Sequence, residues 1–186
     1  MANDLKNKTL SSSIFLFIGK TVERSIGLVS TLLLARLLLP EDFGLVAIVS
    51  LFMYFFNILT NSGSVEYICQ KDNVNDADIN TAWTLDLMMK FVVFLLFILL
   101  APYMAAYYDN PELTYPFYTI SLVFIFTGLA NPSLMKLKRN LEYRKIFQMM
   151  VLIKLLTFPV VVGVAFVTRS YWALIIGDVA AAFIFL

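Results

Sequence analysis

The sequence has no histidine and only one cysteine, Cys69, among its 186 residues. Without histidine, the chain lacks the side chain that most often acts as a general base near neutral pH and most often ligates a metal. A lone cysteine can form neither a disulfide within the chain nor a cysteine-based metal site. We therefore expect no catalytic residues, no metal site and no cofactor.

Charge is also scarce, because 15% of the residues are charged while 60% are hydrophobic. Soluble domains carry about a quarter charged residues. The net charge of +1 argues against a nucleic-acid partner, which would need a basic surface to neutralise phosphates. The composition instead predicts an all-α polytopic membrane protein whose surroundings are the lipid bilayer. A membrane polymerase or glycosyltransferase would need a long loop with catalytic groups, and we interpret Asp76 and Asp78 as helix caps.

Membrane-length apolar stretches recur along the chain. A helix that crosses a bilayer needs about 20 mostly apolar residues. Lys6 and Lys8 precede the first stretch, which is too long for the apolar region of a cleavable signal peptide. Pro40 should end the first helix, and Glu41 and Asp42 should face water in a tight turn. We predict one membrane lobe over residues 1–186, with six spans at residues 14–39, 43–61, 82–104, 115–135, 147–167 and 171–186, the last still apolar at its end.

Basic residues predict the orientation of these spans, because loops rich in lysine and arginine stay on the cytoplasmic side. One segment collects five of them: Lys136, Lys138, Arg139, Arg144 and Lys145. We therefore assign this segment to the cytoplasmic, or inner, side. Counting the spans back from it places the N-terminus and the loop Glu66–Thr81 on the same side. The segments Pro40–Asp42, Asp109–Leu113 and Thr168–Ser170 then face the outer side. The terms inner and outer refer below to these predicted sides.

Several charged residues interrupt the apolar spans. A charged side chain at the bilayer centre costs roughly 2.5–3.5 kcal/mol on insertion scales, so such residues usually face a partner, the bundle interior or a wet cavity. The first span contains three of them and the later spans four. They are Lys20, Glu23, Arg24, Asp86, Lys90, Lys154 and Asp178.

Lys20 and Arg24 are four residues apart and therefore share one face of the first helix. The same face continues through Gly27, Thr31 and Ala35, a strip of small residues suited to close helix packing. We expect the outer half of this helix to pack on a neighbour and its inner half to border a polar cavity, with Glu23 paired to either cation. Arginine and lysine side chains suit phosphate oxygens, so Lys20 and Arg24 form a candidate anion site for a lipid pyrophosphate headgroup.

The other intramembrane charges admit a structural or an ion-coupling role. Asp86 precedes Lys90 by four residues, the favoured order for an ion pair within one helix. Lys154 lies close enough to the inner end of its span for its ammonium group to reach the interface. Asp178 should be buried in the sixth span, and its partner stays open.

The amino-acid sequence resembles those of Wzx-type flippases, which belong to the multidrug/oligosaccharidyl-lipid/polysaccharide exporter superfamily. The similarity is carried by an ordered set of segments from about Ser11 onward. They include LARLLLPEDFGLVAIVSLF from Leu34, Asn61-Ser62-Gly63 with Gln70-Lys71, LLAPYMAAYYDNPEL from Leu99, NPSLMKLKRNLEYRKI from Asn131 and SYWALIIGDV from Ser170.

This resemblance implies twelve to fourteen spans in two lobes, alternating access, and movement of an undecaprenyl-pyrophosphate-linked oligosaccharide across the bacterial inner membrane. Such substrates supply O-antigen, capsule or exopolysaccharide. Because the chain ends inside the sixth span, we expect it to hold the N-terminal lobe, with a second lobe as its missing partner. Two alternatives stay open. One is a multidrug or cation antiporter of the same superfamily that uses Asp86 and Asp178, and the other is a non-transporting membrane fragment.

Overall fold

A computed structural model describes residues 2–60, 63–71 and 73–186, without the side chains of residues 2–13 and 16. Over these ranges the chain is helical and contains no strand, which confirms the all-α prediction. A short 3-10 turn at Pro111–Leu113 precedes the fifth helix. The α-helices are α1 (Ala2–Leu34), α2 (Pro40–Leu59), α3 (Ser64–Gln70), α4 (Asp76–Tyr107), α5 (Thr114–Leu129), α6 (Ser133–Arg139), α7 (Tyr143–Thr168) and α8 (Trp172–Phe185).

Length and apolar composition make this a multi-pass membrane protein. Among the described residues, four stretches are long and apolar enough to cross a bilayer: α2, α4, the segment Pro111–Leu129 and α7. Helix α8 is apolar but shorter than these four. Helix α1 is not among them, and three of the residues between positions 20 and 24 are charged.

The predicted turn between the first two spans is wrong in its details. Helix α1 ends at Leu34 and not near Leu39. Pro40 begins α2, because its fixed φ angle suits the first helical position, where no N–H donor is needed. Glu41 and Asp42 lie in the first turn of α2, where acidic side chains interact favourably with the helix dipole. The connection is therefore residues 35–39.

The inner side also contains more helix than the sequence predicts. The fourth span ends at Leu129 and not at residue 135, and the short α6 follows a break in which the Asn131 side chain accepts a hydrogen bond from the Ser133 N–H. The predicted loop at residues 66–81 contains most of α3 and the start of α4. Asn75 and Asp78 cap α4 reciprocally, which confirms the capping role of Asp78. Predictions that involve Asn61, Ser62, Asp72 and the Lys6 and Lys8 side chains lie outside the described residues.

The long helices pack in a row, with α4 against α5, α5 against α8, α8 against α7 and α7 against α1. Helix α2 packs on α5. Phenylalanines fill the core where α2, α4 and α5 meet, because the Phe97 ring lies 5.2 Å from Phe56, 5.7 Å from Phe117 and 5.2 Å from Phe124, centroid to centroid. Ring contacts of this length are favourable beyond the apolar area they bury. The row places α4 and α1 at opposite ends.

The two ends of the row differ in the chemistry of their exposed side chains. The exposed face of α4 is apolar over four helical turns, as expected of a surface against lipid tails; it includes Leu85, Met88, Val92, Leu95, Leu96 and Leu99. Helix α1 instead exposes both Lys20 and Arg24 among its apolar residues. Exposed charged side chains that do not suit a lipid environment are therefore found at the α1 end of the row.

Candidate functional site

Helix α1 packs on α7 through a face that excludes Lys20 and Arg24. A Cβ added at Gly19 would lie 2.7 Å from Phe147 Cδ2, so the two helices approach closely there. The Phe15 and Phe147 rings contact each other at 6.4 Å between centroids, and Leu34 is buried at the outer end of the helix. These positions recur every three or four residues and define the packed face.

Lys20 and Arg24 lie about 100° around the helix from that packed face and are exposed. Neither side chain forms an ion pair or a hydrogen bond with any residue that the structure describes. The predicted partnership of Glu23 with one of these cations is wrong. The Glu23 Oε1 atom lies 4.0 Å from Lys154 Nζ on α7 instead, because Glu23 follows Gly19 by one turn on the packed face.

The small residues beyond Arg24 do not form a packed strip. A Cβ added at Gly27 would meet nothing within 4 Å, and Thr31 and Ala35 are exposed. The prediction that this half of the face packs on a neighbour is therefore wrong within the described chain. Lys20 and Arg24 therefore lie on an open part of this face, and Gly27 and Thr31 further along it border a cleft.

A cleft of about 180 Å³ lies between α1, α7 and α8. Its polar lining includes Ser30, Lys154, Thr157 and Asp178. Asp178 borders this cleft, and its side chain is accessible to solvent from it. Its neighbour Gly177 is buried, because α7 crosses α8 so closely there that an added Cβ would lie 2.3 Å from Val161 Cγ2. The cleft thus joins Lys154 and Asp178 in one polar enclosure beside the open face of α1.

The predicted ion pair within α4 is present, with Lys90 Nζ 2.8 Å from Asp86 Oδ2. Lys90 Nζ also donates to the carbonyl oxygen of Thr127 at 3.2 Å, and the Trp83 Nε1–H donates to that of Ala130 at 2.9 Å. Helix α5 ends at Leu129, so its last carbonyls have no helical partner and favour a cation or an N–H donor. This second contact of Lys90 was missed from sequence, since nothing local marks which helix end it reaches.

Asp42 joins two helices at the outer side, a role that the sequence did not predict. Its Oδ2 atom accepts the Leu39 N–H at 3.0 Å and its Oδ1 atom accepts the Tyr171 N–H at 3.1 Å. One carboxylate therefore satisfies backbone donors at the starts of both α2 and α8.

These contacts separate the predicted site residues into two groups. Asp86 and Lys90 pair with each other inside the lobe, whereas Lys20 and Arg24 are exposed and have no ion-pair or hydrogen-bond partner among the described residues. The remaining predicted residues are on the α1, α7 and α8 side: Glu23 lies 4.0 Å from Lys154, and Lys154 shares a cleft with Asp178. The described residues contain no group of histidine, cysteine and carboxylate side chains that could hold a metal ion.

Fold and charge distribution together define a helical, multi-pass membrane protein with an open cationic face. The chain belongs to the polysaccharide biosynthesis protein family, whose model matches residues 33–186. It is 25% identical over 142 residues to the lipopolysaccharide biosynthesis protein WzxC of Escherichia coli (strain K12). That alignment covers 76% of this chain and 29% of the relative, so the chain spans less than a third of the relative's length. No solved structure gave a significant match.

Proposed function

We propose that this chain forms one lobe of a flippase that moves an undecaprenyl-pyrophosphate-linked oligosaccharide across the bacterial inner membrane. The family supports a role in polysaccharide biosynthesis, and the relative in Escherichia coli is named for lipopolysaccharide biosynthesis. The single observation that carries the proposal is the open face of α1, where Lys20 and Arg24 have no partner among the described residues.

The chemistry of this face suits a pyrophosphate group. Arg24 offers a planar, permanently charged guanidinium that can donate two parallel hydrogen bonds to phosphate oxygens, and Lys20 offers a second charge one helical turn away. Unpaired cations inside a membrane are costly, so a binding role for an anion accounts for their retention on this face. The reaction is binding and translocation, without cleavage of a covalent bond, and we propose that a second lobe completes the passage.

The contrast between the two ends of the helix row supports the position of that passage. Lipid tails suit the apolar face of α4, whereas Lys20, Arg24 and Asp178 are exposed on α1 and α8 and need water, substrate or another protein segment beside them. We therefore propose that the passage runs along the α1, α7 and α8 side.

Substitution of the two cations in the chromosomal gene tests the proposal. Arg24→Gln and Lys20→Gln remove charge but keep a polar side chain, and Arg24→Lys keeps the charge without the guanidinium. Lys136→Gln is the matched control, because Lys136 is an exposed lysine on α6 that pairs with Asp76 at 3.0 Å. The measurements are surface polysaccharide, the pool of lipid-linked oligosaccharide in the membrane, and the amount of the protein.

We expect Arg24→Gln to lower surface polysaccharide and enlarge the lipid-linked pool at normal protein level, and we expect Arg24→Lys to restore part of the export. Lys136→Gln should behave as wild type. Full export by the double variant Lys20→Gln/Arg24→Gln at normal protein level would remove these residues from the site.

A cation antiporter is the second candidate, and the exposed carboxylate of Asp178 favours it. Within the cleft, the Asp178 carboxylate is a group that a proton or sodium ion can bind, and Glu23 lies 4.0 Å from the Lys154 ammonium that lines the same cleft. Efflux of a cationic dye from cells, driven by a pH or sodium gradient and lost in Asp178→Asn, would support this function. Unchanged dye accumulation on deletion of the gene would exclude it.

A further inference from the structure

A cavity of about 460 Å³ lies at the inner end of the lobe, away from the open face of α1. The ends of α2, α5 and α8 border it, together with α4 and the two short helices α3 and α6. Its volume falls in the range of small-molecule binding sites, roughly 300–1,000 Å³. The polar residues around it include Asn57, Thr60, Asp86, Lys90, Asn131 and Lys138, and the apolar ones include Ile58, Trp83, Leu134 and Phe185.

Two contacts between helices hold one wall of this cavity in place. Lys90 is fixed between Asp86 and the Thr127 carbonyl, and the Trp83 indole is fixed by its hydrogen bond to the Ala130 carbonyl. Side chains held in this way present a preorganised surface, which lowers the entropic cost of binding.

The charge balance of the cavity is positive. The Asp86 carboxylate neutralises Lys90, so the ammonium of Lys138 is left as the uncompensated charge among the lining residues. Lys138 is half-buried and forms no ion pair or side-chain hydrogen bond with any described residue. The amide groups of Asn57 and Asn131 add N–H donors to the same enclosure.

The neighbouring cations on α6 are used differently. Lys136 pairs with Asp76 on the exterior, and the Arg139 guanidinium donates to the carbonyl oxygens of Ile68 and Lys71 at 2.5 Å each, which ties α6 to the end of α3. Lys138 is thus the cation that α6 directs to the cavity.

We infer that this cavity binds the anionic phosphate headgroup of a lipid, with Lys138 as its principal charge. Basic pockets between membrane helices on the cytoplasmic side bind such headgroups, and the apolar residues of the cavity provide a surface for the start of the lipid chains. The phosphate has two sources, an anionic phospholipid or the pyrophosphate-linked carrier. The inference rests on the proposed function only for the second source.

Binding to the purified whole protein in detergent tests the inference. The probes are short-chain phosphatidylglycerol, which is anionic, short-chain phosphatidylcholine, which is zwitterionic, and a short polyprenyl pyrophosphate. Lys138→Gln removes the charge in the cavity, and Lys136→Gln removes a charge two residues away on the exterior of the same helix. Native mass spectrometry and thermal unfolding report the apparent affinity for each probe.

We expect wild type and Lys136→Gln to bind phosphatidylglycerol or the pyrophosphate in preference to phosphatidylcholine. Lys138→Gln should bind the preferred probe about tenfold more weakly, since it loses one charge-assisted hydrogen bond, and Lys138→Arg should recover most of the affinity. Preference for phosphatidylglycerol identifies a phospholipid site, and preference for the pyrophosphate identifies a carrier site.

Equal binding by Lys138→Gln and wild type, an equal loss in Lys136→Gln, or equal affinity for phosphatidylcholine would overturn the inference. If Lys138→Gln does not fold, Asn57→Leu on α2 tests the same cavity from another helix, and unchanged affinity in that variant would be equally damaging. Because no export is measured, failure here together with Arg24-dependent export would leave the proposed function intact.

Discussion

Removal of the Asp42 carboxylate should loosen the outer side of the lobe. The carboxylate accepts one hydrogen bond from the Leu39 N–H at the start of α2 and one from the Tyr171 N–H at the start of α8. Asp42 and Tyr171 are separated by 129 positions in sequence, so their contact is a tertiary one. In Asp42→Ala both donors lose their acceptor, and α8 loses its hydrogen bond to the first hairpin while the apolar contacts between them remain.

The size of the effect follows from these contacts. A hydrogen bond to a charged group contributes about 1.5–3 kcal/mol, and an acidic side chain near a helix N-terminus adds about 0.3–1 kcal/mol. The Leu39 contact is exposed and water can replace it, whereas the Tyr171 contact is partly buried. We therefore estimate a loss of about 2 kcal/mol for Asp42→Ala, and about half of that for Asp42→Asn, which keeps one acceptor oxygen.

Thermal unfolding of the purified protein in mild detergent measures the loss. In a chain of this size 1 kcal/mol shifts Tm by about 2–4 °C, so Asp42→Ala should lower Tm by about 4–8 °C. Glu41→Gln is the matched control, because Glu41 is the exposed adjacent carboxylate in the same helical turn and makes no side-chain hydrogen bond with the described residues. A Tm of Asp42→Ala within 1 °C of wild type, or an equal loss in Glu41→Gln, would refute the reasoning.

Two further predictions concern contacts within the lobe. Lys90→Met leaves the Asp86 carboxylate and the Thr127 carbonyl without their partner, so it should lower the free energy of unfolding by about 2–4 kcal/mol, measured by thermal unfolding in detergent; an unchanged Tm would contradict a structural role. Gly177→Ala should cost about 1–3 kcal/mol in the same assay, because its Cβ would lie 2.3 Å from a Val161 methyl carbon, whereas Gly163→Ala should be neutral or stabilising, since nothing lies within 4 Å of its Cβ. Equal effects of these two substitutions would contradict the described α7–α8 crossing.

Helix content was predictable because apolar length is a property of the sequence itself. The helix ends were less so, and the Pro40 region shows why. Proline both ends a helix that precedes it and begins a helix that follows it. From sequence alone, Pro40 could end α1 or begin α2. It begins α2, where Asp42 in the first helical turn accepts a hydrogen bond from the Tyr171 N–H, a contact that local sequence does not reveal.

The ion-pair partner of a charged residue could be predicted from sequence when both residues lie on one helix, but not when they lie on different helices. The Asp86–Lys90 pair was predictable because four residues along one helix fix the geometry of both side chains. Glu23 could not be assigned in this way, since its partner Lys154 lies on another helix whose position depends on the packing of Gly19 against Phe147. Local spacing brought Lys20 and Arg24 onto one face but could not reveal that this face would lie open.

The way each charge is satisfied separates structural residues from candidates for transport. Lys90 bonds both Asp86 on its own helix and the Thr127 carbonyl of α5, so this charge is compensated within the lobe and joins two helices. Lys20 and Arg24 have no partner among the described residues, so in a lipid environment they would destabilise the lobe unless something outside it compensates them. Neutral substitution should therefore have opposite consequences in the two places. It should weaken the fold at Lys90, but at Arg24 it should leave the purified protein equally stable or more stable while export falls, and a loss of stability at Arg24 would place that residue with the structural group.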